Sequence, residues 1–170
     1  MKAYISLATA ITLTGWSERT FWRRFADGAV KRHVDEEKNG KSMIFLESIA
    51  PHLSILLTED DLQLVLEADK GRPQAQSDLA LLFLTQGKPK EAVYWLELAI
   101  KQGDASAMHW LGRAYVEGYG VPKDENLGLM WIAKAAAAGH VVSQAQMTGM
   151  IRGAISNACE YRAELPDSWH

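Results

Sequence analysis

The chain has 170 residues, 48% of them hydrophobic, which is enough to bury a real core and excludes an intrinsically disordered chain. The formal charge of −3 divides unevenly: residues 1–57 carry eight Lys/Arg against six Asp/Glu (+2), and the remainder carries ten against fifteen (−5). A mildly basic head and an acidic body exclude wrapping of nucleic acid by the C-terminal two-thirds. In chain order, Lys2 and the apolar run Ala3–Leu13 have the outline of a secretory signal. One Lys is a poor positive region, however, and the small-x-small site Ala8-Thr9-Ala10 comes too early, so a helix is expected there instead. No stretch approaches the roughly 20 apolar residues of a membrane span.

Ser6 is a suitable cap for a helix over Leu7–Leu13 that Gly15 ends, and Ser17 caps a second helix from Glu18 to about Asp27, with Gly28 as its stop. On that second helix Phe21 and Phe25 share a face and are expected to be buried, which turns Arg19 and Arg23 the other way and leaves Thr20, Trp22 and Arg24 on the flanks. The runs Val30–Val34 and Ser42–Leu46 are β-rich, and Asn39-Gly40 between them favours a tight hairpin turn. A short closing helix is expected over Glu47–Leu53, begun or interrupted at Pro51.

This order, with Ser17-Glu18-Arg19-Thr20-Phe21-Trp22-Arg23-Arg24 on the second helix, resembles the MerR and excisionase group of winged helix-turn-helix domains over about 45 residues. The resemblance implies that the second helix enters the major groove of double-stranded DNA and that the wing touches phosphates, with three carboxylates, Asp35, Glu36 and Glu37, at the wing tip. It makes Arg19, Thr20, Arg23 and Arg24 groove candidates, and Lys31, Arg32 and Lys41 wing candidates.

From Thr58 onward every segment reads as helix. Thr58 caps a helix over Glu59–Asp69 whose first-turn carboxylates, Glu59, Asp60 and Asp61, suit the positive helix end better than an acid/base or metal site. Helices follow over about Pro73–Thr85, Pro89–Gln102, Ala105–Glu117, Asp124–Ala138 and Val141–Gly153; Ala154–Ala163 either extends the last or forms a second one, and Pro166 is the latest possible end. Two of these hairpins are copies. Ala75, Leu79 and Phe83 recur 32 residues later as Ala107, Leu111 and Tyr115, while Trp95, Ala99 and Gly103 recur 36 residues later as Trp131, Ala135 and Gly139. The four-residue difference is the longer loop Gly118–Asp124, which replaces Gln86–Lys88. Met147 and Ile151 again lie 36 after Leu111 and Tyr115, so the last helix begins a third copy. Self-similarity at this period marks stacked helical hairpins, and it assigns Trp95 and Trp131 to the core. The glycines of the longer loop are turn residues, because a phosphate-binding loop needs a preceding strand.

Leu111-Gly112, Tyr115, Gly118-x-Gly120-Val121 with Asp124, then Trp131, Lys134-Ala135-Ala136 and Gly139 resemble the Sel-one-like repeat, a relative of the tetratricopeptide repeat. The match is close over one unit and partial over residues 73–104; Gly128 departs from it, standing where the family has the small helical Ala kept here at Ala92. The resemblance implies a helical solenoid that binds a protein or peptide, with no chemistry of its own. It also implies that the first helix of each hairpin lines the groove. Residues off its packing stripe are then the partner-binding candidates: Ser77, Asp78 and Leu81 in one unit, and His109, Trp110, Arg113 and Glu117 in the next.

The expected architecture is mainly α: a helical-hairpin solenoid over residues 58–170, preceded by a small winged helix-turn-helix domain with one β-hairpin over residues 1–57. No nucleophile–base pair assembles from the sequence, and His33, His52, His109, His140 and His170 are scattered without ligand spacing, so neither an enzyme, a metal site nor a cofactor is expected. With Cys159 as the single cysteine, a reducing, cytoplasmic setting is the simpler expectation. Two functions stay open: an adaptor that docks a partner through its repeats, or a transcription regulator whose repeats sense a partner or form a homodimer.

Overall fold

A computed structural model describes residues 3–35 and 41–163. The Asn39-Gly40 turn, Glu36, Glu37 and Pro166 lie outside the described residues. The chain forms two compact units, residues 1–102 and 103–170, and the boundary expected at 57/58 falls inside the first.

The first unit opens with a strand that the sequence reading did not anticipate. β1 (Tyr4–Ser6) pairs antiparallel with β3 (Lys41–Phe45), whose other edge carries β2 (Arg32–Asp35), so the expected hairpin is part of a three-stranded sheet in the order β1-β3-β2. In this register Ile5, Ile44 and Arg32 are neighbours on one face, and Tyr4 and Phe45 on the other. Ile5 and Ile44 are fully buried, beneath the core that Leu13, Phe21 and Ile49 complete. α1 (Leu7–Thr14) and α2 (Glu18–Ala26) start where expected, because Ser6 Oγ accepts from Thr9 N–H and Ser17 Oγ accepts from Thr20 N–H. The closing segment is α3 (Leu46–Ile49), which passes into a 3₁₀ turn over Ala50–His52 where Pro51 sits.

α4 (Glu59–Asp69) begins with a complete capping box between Thr58 and Asp61, which assigns the acidic first turn to helix-end stabilisation. It packs on α5 (Pro73–Thr85), which packs on α6 (Pro89–Ile100). Two polar ties join this helical part to the N-terminal part. The Asp69 carboxylate, at the end of α4, accepts the Ser6 N–H at 3.1 Å on each oxygen and the Thr9 hydroxyl, so it holds the start of α1. The Gln86 amide pairs with both backbone groups of Leu56, accepting its N–H at 2.7 Å and donating to its carbonyl at 2.8 Å. The N-terminal part is thus fastened to the first repeat and is not strung on a loose linker.

The second unit holds α7 (Ala105–Glu117), α8 (Glu125–Ala137) and α9 (Val141–Ala163). α7 ends at Gly118, whose φ of 77° is left-handed, and its N–H reaches back to the Ala114 carbonyl at 2.8 Å. Asp124 N–H returns to the Tyr115 carbonyl at 2.9 Å and Asp124 Oδ1 caps α8, which closes the longer loop as a turn. The departure at Gly128 has a steric cause. A Cβ there would lie 2.7 Å from the Gly112 carbonyl oxygen, and one on Gly112 would lie 2.8 Å from the Gly128 carbonyl oxygen, so the two backbones touch where a side chain would stand. α9 runs on unbroken to Ala163, which makes Ala154–Ala163 an extension of the helix.

Trp95 and Trp131 are not equally buried. Trp95 is 2% exposed, whereas Trp131 is only half-buried and Lys134 Nζ lies 4.4 Å from its ring centre. Full core placement of Trp131 is corrected accordingly: its ring keeps partial contact with water and is covered on one side by the Lys134 ammonium.

Candidate functional site

The candidates on α5 and α7 separate into buried and accessible pairs. Ser77 and His109 occupy the same repeat position, 32 apart, and both face inward: Ser77 is fully buried and His109 is 4% exposed. Neither is free to meet a partner, which corrects their placement off the packing stripe. The next position along, Asp78 and Trp110, is accessible, with Asp78 exposed and Trp110 half-buried. Leu81 and Arg113 are again equivalent, half-buried and exposed respectively.

On α7 the accessible residues form a connected row. The Arg113 guanidinium lies 5.6 Å from the Trp110 ring centre, its Nε donates to Glu117 Oε1 at 3.1 Å, and its terminal nitrogen bonds the same oxygen. An indole face, a guanidinium and a carboxylate therefore line up over two turns, a combination suited to stacking and to hydrogen bonding with a polypeptide. On α5 the row is thinner: Asp78 accepts from Gln74 Nε2 at 3.0 Å and, with Asp60, Glu67 and Arg72, borders a shallow cleft between α4 and α5 of about 300 Å³. Glu67 there is held below the usual carboxylate range, chiefly by its hydrogen bond from Lys70.

The N-terminal cations are divided among different tasks. Arg19, Arg23 and Lys31 are exposed, and Ser17 and Thr20 share a hydroxyl contact of 3.0 Å at the cap of α2. Arg24 lies 4.4 Å over the Trp16 ring with its Nε buried, so it is spent on packing and corrected as a groove residue. Arg32 reaches across Trp22 and Phe25, 5.3 and 5.4 Å from their ring centres, in place of pointing outward along a wing. Lys41 starts β3, opposite Asp35. Trp22 is 45% exposed, and its ring nitrogen donates to Glu18 at 3.1 Å.

One cluster escaped sequence reading. His109 Nδ1 lies 2.8 Å from the Ser143 hydroxyl, which lies 2.9 Å from His140 Nδ1, and the two imidazoles are stacked 4.4 Å apart. Burial, then His140 and Arg113, hold His109 below the ordinary imidazole range. The available signal was the 36-residue offset, which sets His140 at the cap position of Asp104 and Ser143 at the buried position of Ala107. Among the described residues no group of three or more His, Cys, Asp or Glu is arranged to hold a metal ion, and no helix is long and apolar enough to cross a membrane.

Helical hairpins that recur along the chain define the helical-repeat class of protein. The Sel1 repeat family model matches residues 73–104 and 105–140, the two copies read from the offsets. A Sel1 repeat protein from Oxalobacter formigenes is 31% identical, over 54% of this chain and 74% of that one, with a TM-score of 0.49. The c5321 protein, a protective antigen of uropathogenic Escherichia coli strains with an SLR fold, is 33% identical over 52% of this chain, with a TM-score of 0.47; this chain spans 21% of its length. Residues 73–140 therefore comprise two Sel1 repeats, and Sel1-repeat proteins are generally protein-interaction scaffolds.

Proposed function

We propose that the protein is a non-enzymatic adaptor that docks a partner protein or peptide on the first helices of its two repeats. The observation that supports this reading is the recurrence of accessibility: positions 78 and 110, and positions 81 and 113, are equivalent between repeats and stay open while their neighbours 77 and 109 are buried. Trp110, Arg113 and Glu117 would anchor a partner on α7, and Asp78 and Leu81 mark the equivalent face of α5. On this reading residues 1–57 form an accessory domain, and the single cysteine, Cys159, supports a reducing, cytoplasmic setting. The test is affinity capture from the native host, repeated with Trp110→Ala and Arg113→Ala. The reading requires that these variants lose the wild-type partner while melting within a few degrees of wild type; retention of the partner by both rejects it.

A second reading makes the protein a DNA-binding regulator with a MerR- or excisionase-like domain, whose repeats sense a partner or form a homodimer. What favours it is that α1, α2 and the β2–β3 pair follow in the winged order, with Arg19 and Arg23 one turn apart and exposed on α2. Fluorescence anisotropy with random duplex at low salt decides it. Binding that falls steeply with salt and weakens in Arg23→Ala supports the reading, and a flat titration ends it.

A further inference from the structure

His109, His140 and Ser143 come from α7, the α8–α9 turn and the first turn of α9, and they meet largely out of water. Ser143 N–H donates to His140 Nδ1 at 3.2 Å, as Ala107 N–H donates to Asp104 Oδ1 at 2.7 Å one repeat earlier. His140 therefore caps α9 with a ring nitrogen where α7 is capped by a carboxylate. A nitrogen that accepts this bond carries no proton, so the cap exists only for the neutral ring, protonated on Nε2. The Ser143 hydroxyl, within hydrogen-bond distance of both Nδ1 atoms, links that cap to His109 on α7.

We propose that this cluster is an acid-sensitive clasp, which holds the first turns of α9 on the preceding hairpin at neutral pH and releases them when the rings take up protons. A proton on His140 Nδ1 replaces the cap acceptor with a donor that opposes Ser143 N–H, and it sets a cation at the positive end of a helix. A second cation on His109 would lie in a ring stacked 4.4 Å away, on the same helix as Arg113.

From residue 103 to 151 this unit has four carboxylates, and each is engaged. Asp104 and Asp124 cap α7 and α8, Glu117 holds Arg113, and Glu125 holds Lys123. Of the cations, Lys134 lies over Trp131, and α9 contributes no charged side chain before Arg152. The sign follows from His109. Its folded state resists protonation relative to an unfolded chain near 6.5, so the stabilisation is complete above about pH 6.5 and is lost as pH falls below it towards the lowered value.

Amide hydrogen exchange on the full chain at pH 7.5 and 5.5, normalised for the intrinsic rate, tests the clasp. Protection across residues 141–151 should fall about fivefold at the lower pH, the effect of losing one helix cap, while residues 73–100 keep theirs. The pair His109→Gln with His140→Asn, which can cap and bond without titrating, should hold protection equal at both pH values. Equal protection in the wild type overturns the proposal, as does a loss shared evenly by residues 73–100 or a full pH response in the double variant. Should the double variant fail to fold, His140→Asn alone must shrink the response, and an unchanged response is equally fatal.

Discussion

In the first repeat the positions at which the two helices approach are alanines, Ala80 and Ala92, both fully buried; in the second the same positions are Gly112 and Gly128, and their backbones touch. Two interior glycines cost helix stability, about 1 kcal/mol each relative to alanine, and the second repeat offsets this with closer packing, in which Ile132 and Val116 stand against the glycines. The first repeat has another source of support, because the N-terminal part is bonded to α4 through Asp69 and to the α5 C-terminus through Gln86. The second ends in α9, whose Val141, Val142, Met150, Ile151 and Ile155 stay exposed. One sequence pattern is therefore stabilised in two ways, by attachment to a neighbouring structure in one case and by backbone contact in the other.

The largest expected effect contrasts the two tryptophans. Trp95→Ala should cost about 3–5 kcal/mol by calorimetry, and Trp131→Ala, only partly buried, about 1–2 kcal/mol. Equal losses would erase the distinction. Next comes attachment: Asp69→Ala leaves the Ser6 N–H and the Thr9 hydroxyl without their charged partner, and should destabilise the first unit by about 1.5–3 kcal/mol in urea unfolding while leaving α7–α9 exchange unchanged. Gly128→Ala should cost about 1–3 kcal/mol, because its Cβ would sit 2.6 Å from Val116 Cγ2, although alanine is the better helix former; a stabilised variant would refute the close approach. Smallest is Arg113→Ala, an exposed residue in a surface pair, whose thermal stability should change by under about 0.5 kcal/mol even as partner capture is lost.

Most helix bounds were legible because their signals are local. Ser6, Ser17 and Thr58 each cap the helix they precede, and the 32- and 36-residue offsets carried the equivalence of α5 with α7 and of α6 with α8; Asp104 also caps α7, and Asp124, expected as the first residue of α8, is its cap instead. β1 was not legible, since three residues ahead of a strong helix cap show no alternation of their own and become a strand only by pairing with β3. The candidate site was half legible. Its position on the first helices came from the repeat, but the choice between residues 77 and 78, or between 109 and 110, depends on a rotation of one residue about the helix axis, which neighbouring helices set.

Most of the helices, the caps at Ser6, Ser17 and Thr58 and the repeat were readable from the chain alone, because hydrogen bonds closed within a turn and side chains recurring at a constant offset need no knowledge of distant partners. The packed fold was needed to show that Asp69 binds the start of α1, that Arg24 and Arg32 lie on aromatic rings, and that His109 and His140 meet around Ser143. Those contacts join residues far apart in the chain, and their geometry exists only once the helices have packed.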